Sequence, residues 1–449
     1  MKTVIKKTVR KFTPEFLLSF YHFAWAFFGA ARYGFPSRKL TVIGVTGTNG
    51  KTSVCNMIHS LLTQAGFKVG MTTTANFKIG KKEWVNNKKQ TMLGRTALQG
   101  LLRKMVKKKC EYAVIETSSE GILQYRQKFV DYNIAVFTNL TPEHLEHHKG
   151  FANYRAAKGK LFQQTKGIHI INGDDKNVEY FLKFEAKRKF VFGFKEDYKS
   201  PSTPSFARRE CDKIICSSYQ LLPSGSVFTV SYNNQEIKFE TRLLGKHNIA
   251  NLLAVICLGL SQNIPIDKIK LAVKNIKPIP GRMEVISSRD SQNKALAPSS
   301  KIPNFKVIVD YAHDPKSLET VYQTVKKLNP RRIIAVLGSC GGGRDKSKRP
   351  KLGRLAEKYA DFVIVTNEDP YDEDPQEIID QVAAGVENKN KLLKILDRKK
   401  AIKKAIDLAR ENDIIMVTGK GNEQCMVVKD KQVAWDDREV VRKILETGN

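Results

Sequence analysis

Short apolar, β-branched runs alternate with helical patterns along most of this chain, and polar residues collect just after each run. Residues 41–45 (Thr-Val-Ile-Gly-Val) predict a buried strand. The strand breaks into Gly47-Thr48-Asn49-Gly50, and a helical pattern then runs from Lys51 to about Ala65, where Gly66 stops it. Further strands are predicted at 113–115, 134–137 and 168–171, each ending in a polar cluster. Residues 190–240 look more β-like, with a turn at Asn233-Asn234, and 243–259 predict a helix. Ile279-Pro280-Gly281 marks a boundary, and the polar stretch 287–305 predicts a surface loop. A second alternating unit comes next, with strands at 306–309, 333–337, 362–365 and 414–417. Polar residues at the carboxyl ends of strands are where an open α/β sheet binds ligands.

One stretch departs from this alternation. Residues 16–31 carry no charge and come after Lys2, Lys6, Lys7, Arg10 and Lys11. With Ser19, His22 and Gly29 inside it, the stretch is too short and too interrupted to span a bilayer. The residues after it offer no clear signal-peptide cleavage site. Two readings stay open: an interfacial helix on an anionic membrane surface, or a helix packed on the sheet of the next domain.

At 449 residues the chain exceeds a single core, so two or three domains are expected. The net charge of +32 is spread as lysines through every segment without a recognisable nucleic-acid module. It predicts a solvated basic surface and no nucleic-acid partner. The seven cysteines are scattered, which fits a reducing cytosol. The lone pair Cys211 and Cys216 is too little for a zinc site.

The first strand, glycine turn and helix make a phosphate-binding loop. Backbone N–H groups of Gly47, Thr48, Asn49 and Gly50, with Ser53 behind them, would meet the anion at a helix N-terminus; Lys51 would reach the outer phosphates and Thr52 would hold Mg²⁺. Val45 stands where the full pattern has glycine. Glu116, after a strand, and His144 are carboxylate and imidazole candidates for a metal beside the phosphates. His147 and His148 are expected in a solvated loop, and Lys158 taken alone is one surface lysine among many.

Nine segments in order carry a resemblance: TGTNGKT, ETSSEG, TNLTPEHLEHH, YRAAK, GKHNIAN, PGRMEV, VDYAHDP, GGGRDKSKRP and GKGNE. Together they resemble the Mur ligase family, in its MurE type, over about residues 40–445. The resemblance implies an α/β protein with a central P-loop Mur ligase domain (40–283) and a C-terminal Rossmann-like Mur ligase domain (284–449) closing over it. The short apolar N-terminal helix (1–39) would stand in place of the family's UDP-gripping domain. It implies a cytoplasmic, monomeric enzyme using ATP and Mg²⁺ that joins an amino acid, a diamino acid by preference, to a UDP-muramyl-peptide precursor through an acyl phosphate.

By motif, Lys51 would bind phosphate, while Thr52, Glu116, His144 and a carbamylated Lys158 would hold metal. Carbamylation needs a neutral amine, so Lys158 must sit where its pKa is depressed. His247, Asn248, Asn251, Arg282, Asp310, Tyr311 and His313 would line the nucleotide, and Ser118, Arg126, Asp369 and Glu423 the substrates. Three positions depart from the family pattern: Tyr371 replaces an arginine that grips the distal carboxylate of diaminopimelate, Asn422 replaces a His, and Glu120 replaces another His. The alternatives are a folylpolyglutamate-type or other Mur-like ligase acting on another acid, and a non-catalytic, membrane-associated nucleotide-binding scaffold.

Overall fold

The computed structural model describes residues 14–86, 90–142, 148–196, 211–222, 224–287 and 303–447. Most of the predicted loop at 287–305 therefore lies outside the described residues. The chain divides into two compact units. One takes in Met1–Gln220, Ser226–Thr241 and Asn248–Ile276; the other takes in Leu221–Gly225, Arg242–His247 and Lys277–Asn449.

The first unit is built on an 11-stranded sheet. In chain order its strands are β1 (Thr41–Thr46), β2 (Val69–Thr72), β3 (Asn76–Ile79), β4 (Lys82–Val85), β5 (Tyr112–Glu116), β6 (Tyr132–Phe137), β7 (Ile168–Asn172), β8 (Arg188–Phe194), β9 (Asp212–Leu222), β10 (Gly225–Tyr232) and β11 (Gln235–Thr241). Across the sheet the order is β11-β10-β9-β8-β7-β6-β1-β5-β2-β3-β4. β1 lies between β5 and β6 and pairs parallel with both. The chain thus leaves β1 toward one side and later returns on the other. That reversal opens a crevice at the carboxyl end of β1.

β1 is buried on both faces, as an all-apolar run in a parallel sheet requires. One face packs a core that includes Val42, Ile115, Phe137, Phe162 and Phe181, with the rings of Phe137 and Phe181 stacked at 3.9 Å. The short strand β3 and the edge strand β4 were not legible in the sequence, because each spans four residues and β4 is largely exposed. The hairpin of β10 and β11 turns on Asn233 and Asn234, both with positive φ, as a tight two-residue connection favours.

The second unit has a six-stranded sheet. Its strands are β12 (Glu284–Ser287), β13 (Lys306–Asp310), β14 (Ile333–Leu337), β15 (Phe362–Thr366), β16 (Leu392–Ile395) and β17 (Ile414–Thr418), in the order β12-β13-β17-β14-β15-β16. Only β12 runs antiparallel to its neighbour. Alternate residues feed two separate cores. Ile308, Ala335, Val363 and Met416 pack on one face, while Val307, Ile334, Ile364 and Ile415 pack on the other. A small hairpin, β18 (Cys425–Val428) with β19 (Lys431–Ala434), comes after the main sheet.

The N-terminal apolar stretch forms the helix Glu15–Arg32. It packs on the helix Arg95–Lys107 rather than on the sheet, and a Cβ at Gly29 would lie 3.0 Å from the Thr96 backbone. Phe23 and Phe27 meet Phe129 edge-on, and Phe23 also meets Tyr125. Tyr125 and Phe129 hold φ of 56° and 58°, a left-handed conformation that bulky residues rarely adopt. Among the described residues no helix is long and apolar enough to cross a membrane.

Candidate active site

The site begins where β1 ends. Gly50, with φ of 83°, caps the helix Lys51–Gln64, and a Cβ there would lie 2.7 Å from Asn251 Oδ1. Glycine therefore serves both the left-handed turn and the close approach of the helix Lys246–Ser261. A second strand end locks the loop. Thr48 N donates to the Asn139 carbonyl (2.8 Å) and Asn49 N to Asn139 Oδ1 (2.9 Å), while Thr138 Oγ1 donates to the Asn49 carbonyl (2.7 Å). Thr48 Oγ1 meets the Tyr154 hydroxyl at 3.1 Å.

Two lysines converge on this loop. Lys51 Nζ donates to the Thr48 carbonyl (2.7 Å) and the Gly47 carbonyl (3.1 Å). Lys158, 1% exposed, donates to the same Gly47 carbonyl at 2.7 Å from 111 positions away and lies 4.5 Å from the centre of the Tyr154 ring. The sequence read in isolation made Lys158 a surface residue; the fold buries it because the helix Phe151–Gln164 carries it inward beside Tyr154 and Ala157.

Glu116, at the end of β5, is buried and takes three hydrogen bonds: from Thr52 Oγ1 (2.9 Å), Thr74 N (2.8 Å) and Thr74 Oγ1 (3.0 Å). A hydroxyl and a carboxylate held side by side beside a phosphate loop are hard oxygen donors, and they suit Mg²⁺. Among the described residues no three His, Cys, Asp or Glu side chains form a ready-made metal cage. His144 lies outside the described residues. Thr74 had no signal in the sequence, because its role exists only once β2 is laid beside β5.

His148 requires a correction. Expected in a solvated loop, it is buried at 4% exposure, with Nε2 3.0 Å from Ser119 Oγ and its ring 5.0 Å from that of Tyr154. The Ser119 hydroxyl that it meets comes from 29 positions away, so local polarity misleads. Ser118 caps the helix Ser119–Leu123 by accepting from Gly121 N (3.2 Å). Arg126 is half-buried and bonds Gln124 Oε1 and the Met92 carbonyl. Asn251 Nδ2 reaches Asn248 Oδ1 at 3.4 Å. Ser53 is buried in the first turn behind the loop.

The second unit gathers another set at the end of β13. Asp310 accepts from Met283 N and Ala312 N, each at 2.7 Å. Burial raises its carboxyl above the usual range, against the pull of Arg282. The Arg282 guanidinium lies 4.3 Å from the centre of the Tyr311 ring, and Tyr311 meets His313 edge-on at 4.8 Å. Burial, aided by Lys348, lowers His313 to about 3, and burial lowers His247 to about 4. Both imidazoles are therefore neutral at physiological pH.

At the ends of β15 and β17, Asp369 accepts from Lys420 Nζ (2.8 Å) and Val427 N (2.7 Å), and Glu423 pairs with the same Lys420. Burial pushes the Lys420 ammonium down, but Glu423 and Asp369 outweigh that and hold it well above the usual lysine range. Tyr371 has φ of 52°; its N–H donates to the Val427 carbonyl (3.2 Å), and a Cβ at Gly342 would lie 2.8 Å from its ring.

Residues 45–259 match the Mur ligase middle domain, and residues 281–421 match the Mur ligase, glutamate ligase domain. The chain is 35% identical over 423 residues to the UDP-N-acetylmuramoyl-L-alanyl-D-glutamate--2,6-diaminopimelate ligase of Clostridium botulinum, a match covering 94% of this chain and 81% of the relative. A solved structure of a ligase with that same name aligns with a TM-score of 0.59 at 27% identity, over 91% of this chain and 79% of the other. The folylpolyglutamate synthase of Mycobacterium tuberculosis, solved with ADP, aligns with a TM-score of 0.67 at 17% identity, over 89% of this chain and 92% of the other. That likeness is one of fold alone. With nine motif segments in order and a third of its residues shared along nearly its whole length, the chain belongs to the Mur ligase family of ATP-dependent acid–amino acid ligases.

Proposed function

We propose that this protein adds a diamino acid to a UDP-N-acetylmuramoyl-dipeptide, with ATP as the energy source, in the cytoplasmic synthesis of peptidoglycan precursors. The supporting observation is the glycine turn that feeds the N-terminus of the helix Lys51–Gln64, with Lys51 in its first turn and the Thr52 hydroxyl on the Glu116 carboxylate. Backbone N–H groups at a helix N-terminus and the Lys51 ammonium attract phosphate, which a nucleoside triphosphate supplies. The acceptor class is taken from the name of the relatives, which is that of a 2,6-diaminopimelate ligase.

The chemistry proceeds in two steps. A substrate carboxylate oxygen attacks the γ-phosphorus of ATP, forming an acyl phosphate and releasing ADP. The acceptor amine then attacks the acyl carbon; the C–N bond forms, the C–O bond to phosphate breaks, inorganic phosphate departs and the amine proton passes to solvent. Lys51 and the loop N–H groups would hold the phosphates in line and stabilise the charge that develops on them. Thr52 and Glu116, with His144 and a carbamylated Lys158, would hold Mg²⁺, which supplies charge neutralisation on the phosphate oxygens when bound. Asn248 and Asn251, with His247, Arg282, Asp310, Tyr311 and His313, would bind the adenosine moiety. Ser118 and Arg126 would contact the muramyl-peptide, and Asp369 and Glu423 would contact the acceptor. The enzyme would act as a monomer.

The test is a turnover assay on the purified chain. Muramyl-dipeptide donors are combined with diaminopimelate, lysine and other amines, alongside folate and other acids as donors, and the products are read by mass spectrometry. ADP release that depends on both a muramyl donor and a diamino acid is the expected result. Release driven only by another acid would replace the muramyl-peptide reading.

A further inference from the structure

We propose that the outward face of the helix Glu15–Arg32 is a lipid-docking surface that seats the protein on an anionic membrane leaflet. The helix is fixed along one stripe only. Ala26, Gly29 and Ala30 are buried against the helix Arg95–Lys107, Ser19 Oγ meets the Tyr125 hydroxyl at 2.9 Å, and His22 Nδ1 meets Arg95 Nη2. The opposite stripe carries Leu17, Phe20, Tyr21, Trp25 and Phe28 at helical spacing, exposed by 46%, 70%, 51%, 49% and 64%. A soluble surface rarely gathers so many large apolar groups on one helix face. Because the inner stripe is anchored, the outer one cannot fold away into the core of its own unit.

Charge selects the occupant. Residues 1–40 hold Lys2, Lys6, Lys7, Arg10, Lys11, Arg32, Arg38 and Lys39 and one carboxylate of their own, Glu15, with Arg38 paired to Asp131. A second copy of the chain would bring two such basic segments together, and like charges would oppose the contact. An anionic leaflet accepts both features: acyl chains and the interfacial zone take the aromatic rings, and headgroups take the basic residues. Trp25 and Tyr21 supply the amphipathic rings that settle at the headgroup level. A helix held along one side would lie flat on the leaflet, with the domain on its water side.

The experiment uses the full chain and vesicles of phosphatidylcholine with and without phosphatidylglycerol, at low and high salt. Wild type should sediment with the phosphatidylglycerol vesicles at low salt and be released by high salt. Phe20→Ser/Phe28→Ser should weaken that partition by roughly tenfold or more, because it removes two exposed rings that would enter the leaflet, while ADP-forming activity and far-UV dichroism stay unchanged. A Trp84→Phe/Trp435→Phe chain, which keeps Trp25, should show quenching by brominated lipid. Three results would overturn the proposal: a wild type that stays in the supernatant, a double variant that sediments like wild type, or a concentration-dependent dimer that the double variant abolishes.

Discussion

The two α/β units both place polar side chains at the carboxyl ends of their parallel strands, yet they use charge in opposite ways. In the first unit, Lys51 Nζ rests on the Gly47 and Thr48 carbonyls, and among the described residues Glu116 is held by two threonines. In the second unit, charge is matched internally. Lys420 sits between Asp369 and Glu423, and Arg398 pairs with Asp437 with both side chains fully buried. A charge held by neutral dipoles turns toward a ligand at little cost, whereas breaking a buried pair such as Arg398–Asp437 strands a charge in the interior. Burial of an ionisable group therefore does not by itself mark the chemistry.

The largest expected effect lies at the loop. Lys51→Ala should lower substrate-dependent ADP formation at least a thousandfold, about 4 kcal/mol of transition-state stabilisation, and leave the unfolding midpoint nearly unchanged. Wild-type turnover in that variant would end the distinction between the two units. Arg398→Met should do the converse. It strands the Asp437 carboxylate in the interior and also removes hydrogen bonds to the Thr418 and Asn367 carbonyls. A loss of about 3–4 kcal/mol in urea unfolding is expected. A loss below about 1 kcal/mol would show that this pair is not what holds the second unit together.

Acid sharpens the comparison from the side of the first unit. His59, on the helix that presents Lys51, is buried, its Nε2 has no hydrogen-bond partner among the described residues, and burial, with help from Lys78, lowers its pKa to about 4. The folded state therefore keeps the ring neutral, while the unfolded chain binds its proton near pH 6.5. The resulting stability is fully present above pH 6.5 and is lost as pH falls toward 4. At about 1.4 kcal/mol per pH unit this comes to roughly 3 kcal/mol. His59→Leu should flatten the acid limb of a urea-stability profile by that amount, and an unchanged limb would place the acid sensitivity elsewhere. The smallest effect concerns Tyr371. Tyr371→Arg should raise preference for diaminopimelate over lysine about tenfold, some 1.4 kcal/mol, by adding a cation for the distal carboxylate. A wild type that already prefers diaminopimelate strongly, and a variant that adds nothing, would move acceptor selection to other residues.

Much of this was legible from the chain itself, because it depends on neighbours in sequence. The apolar runs at 41–45, 333–337 and 414–417 became buried strands, with Thr41 alone partly exposed, and the Gly47–Thr52 segment became a turn feeding a helix. Periodicity and glycine chemistry are local properties, and they survive in any tertiary context that buries the runs. The nine motif segments also fixed the family. What the tertiary structure alone decided were contacts between residues far apart in sequence. Sheet order brought Thr74 to Glu116, and the helix Phe151–Gln164 carried Lys158 to the Gly47 carbonyl. His148 was brought to Ser119, and Asp369 was drawn to Lys420. The apolar helix Glu15–Arg32 was likewise divided into a docked stripe and an exposed one. The sequence determined that this helix would be apolar; only the packing of Gly29 on Thr96 decided which of its sides faces solvent, because burial is a property of the surface a residue meets and not of the residue.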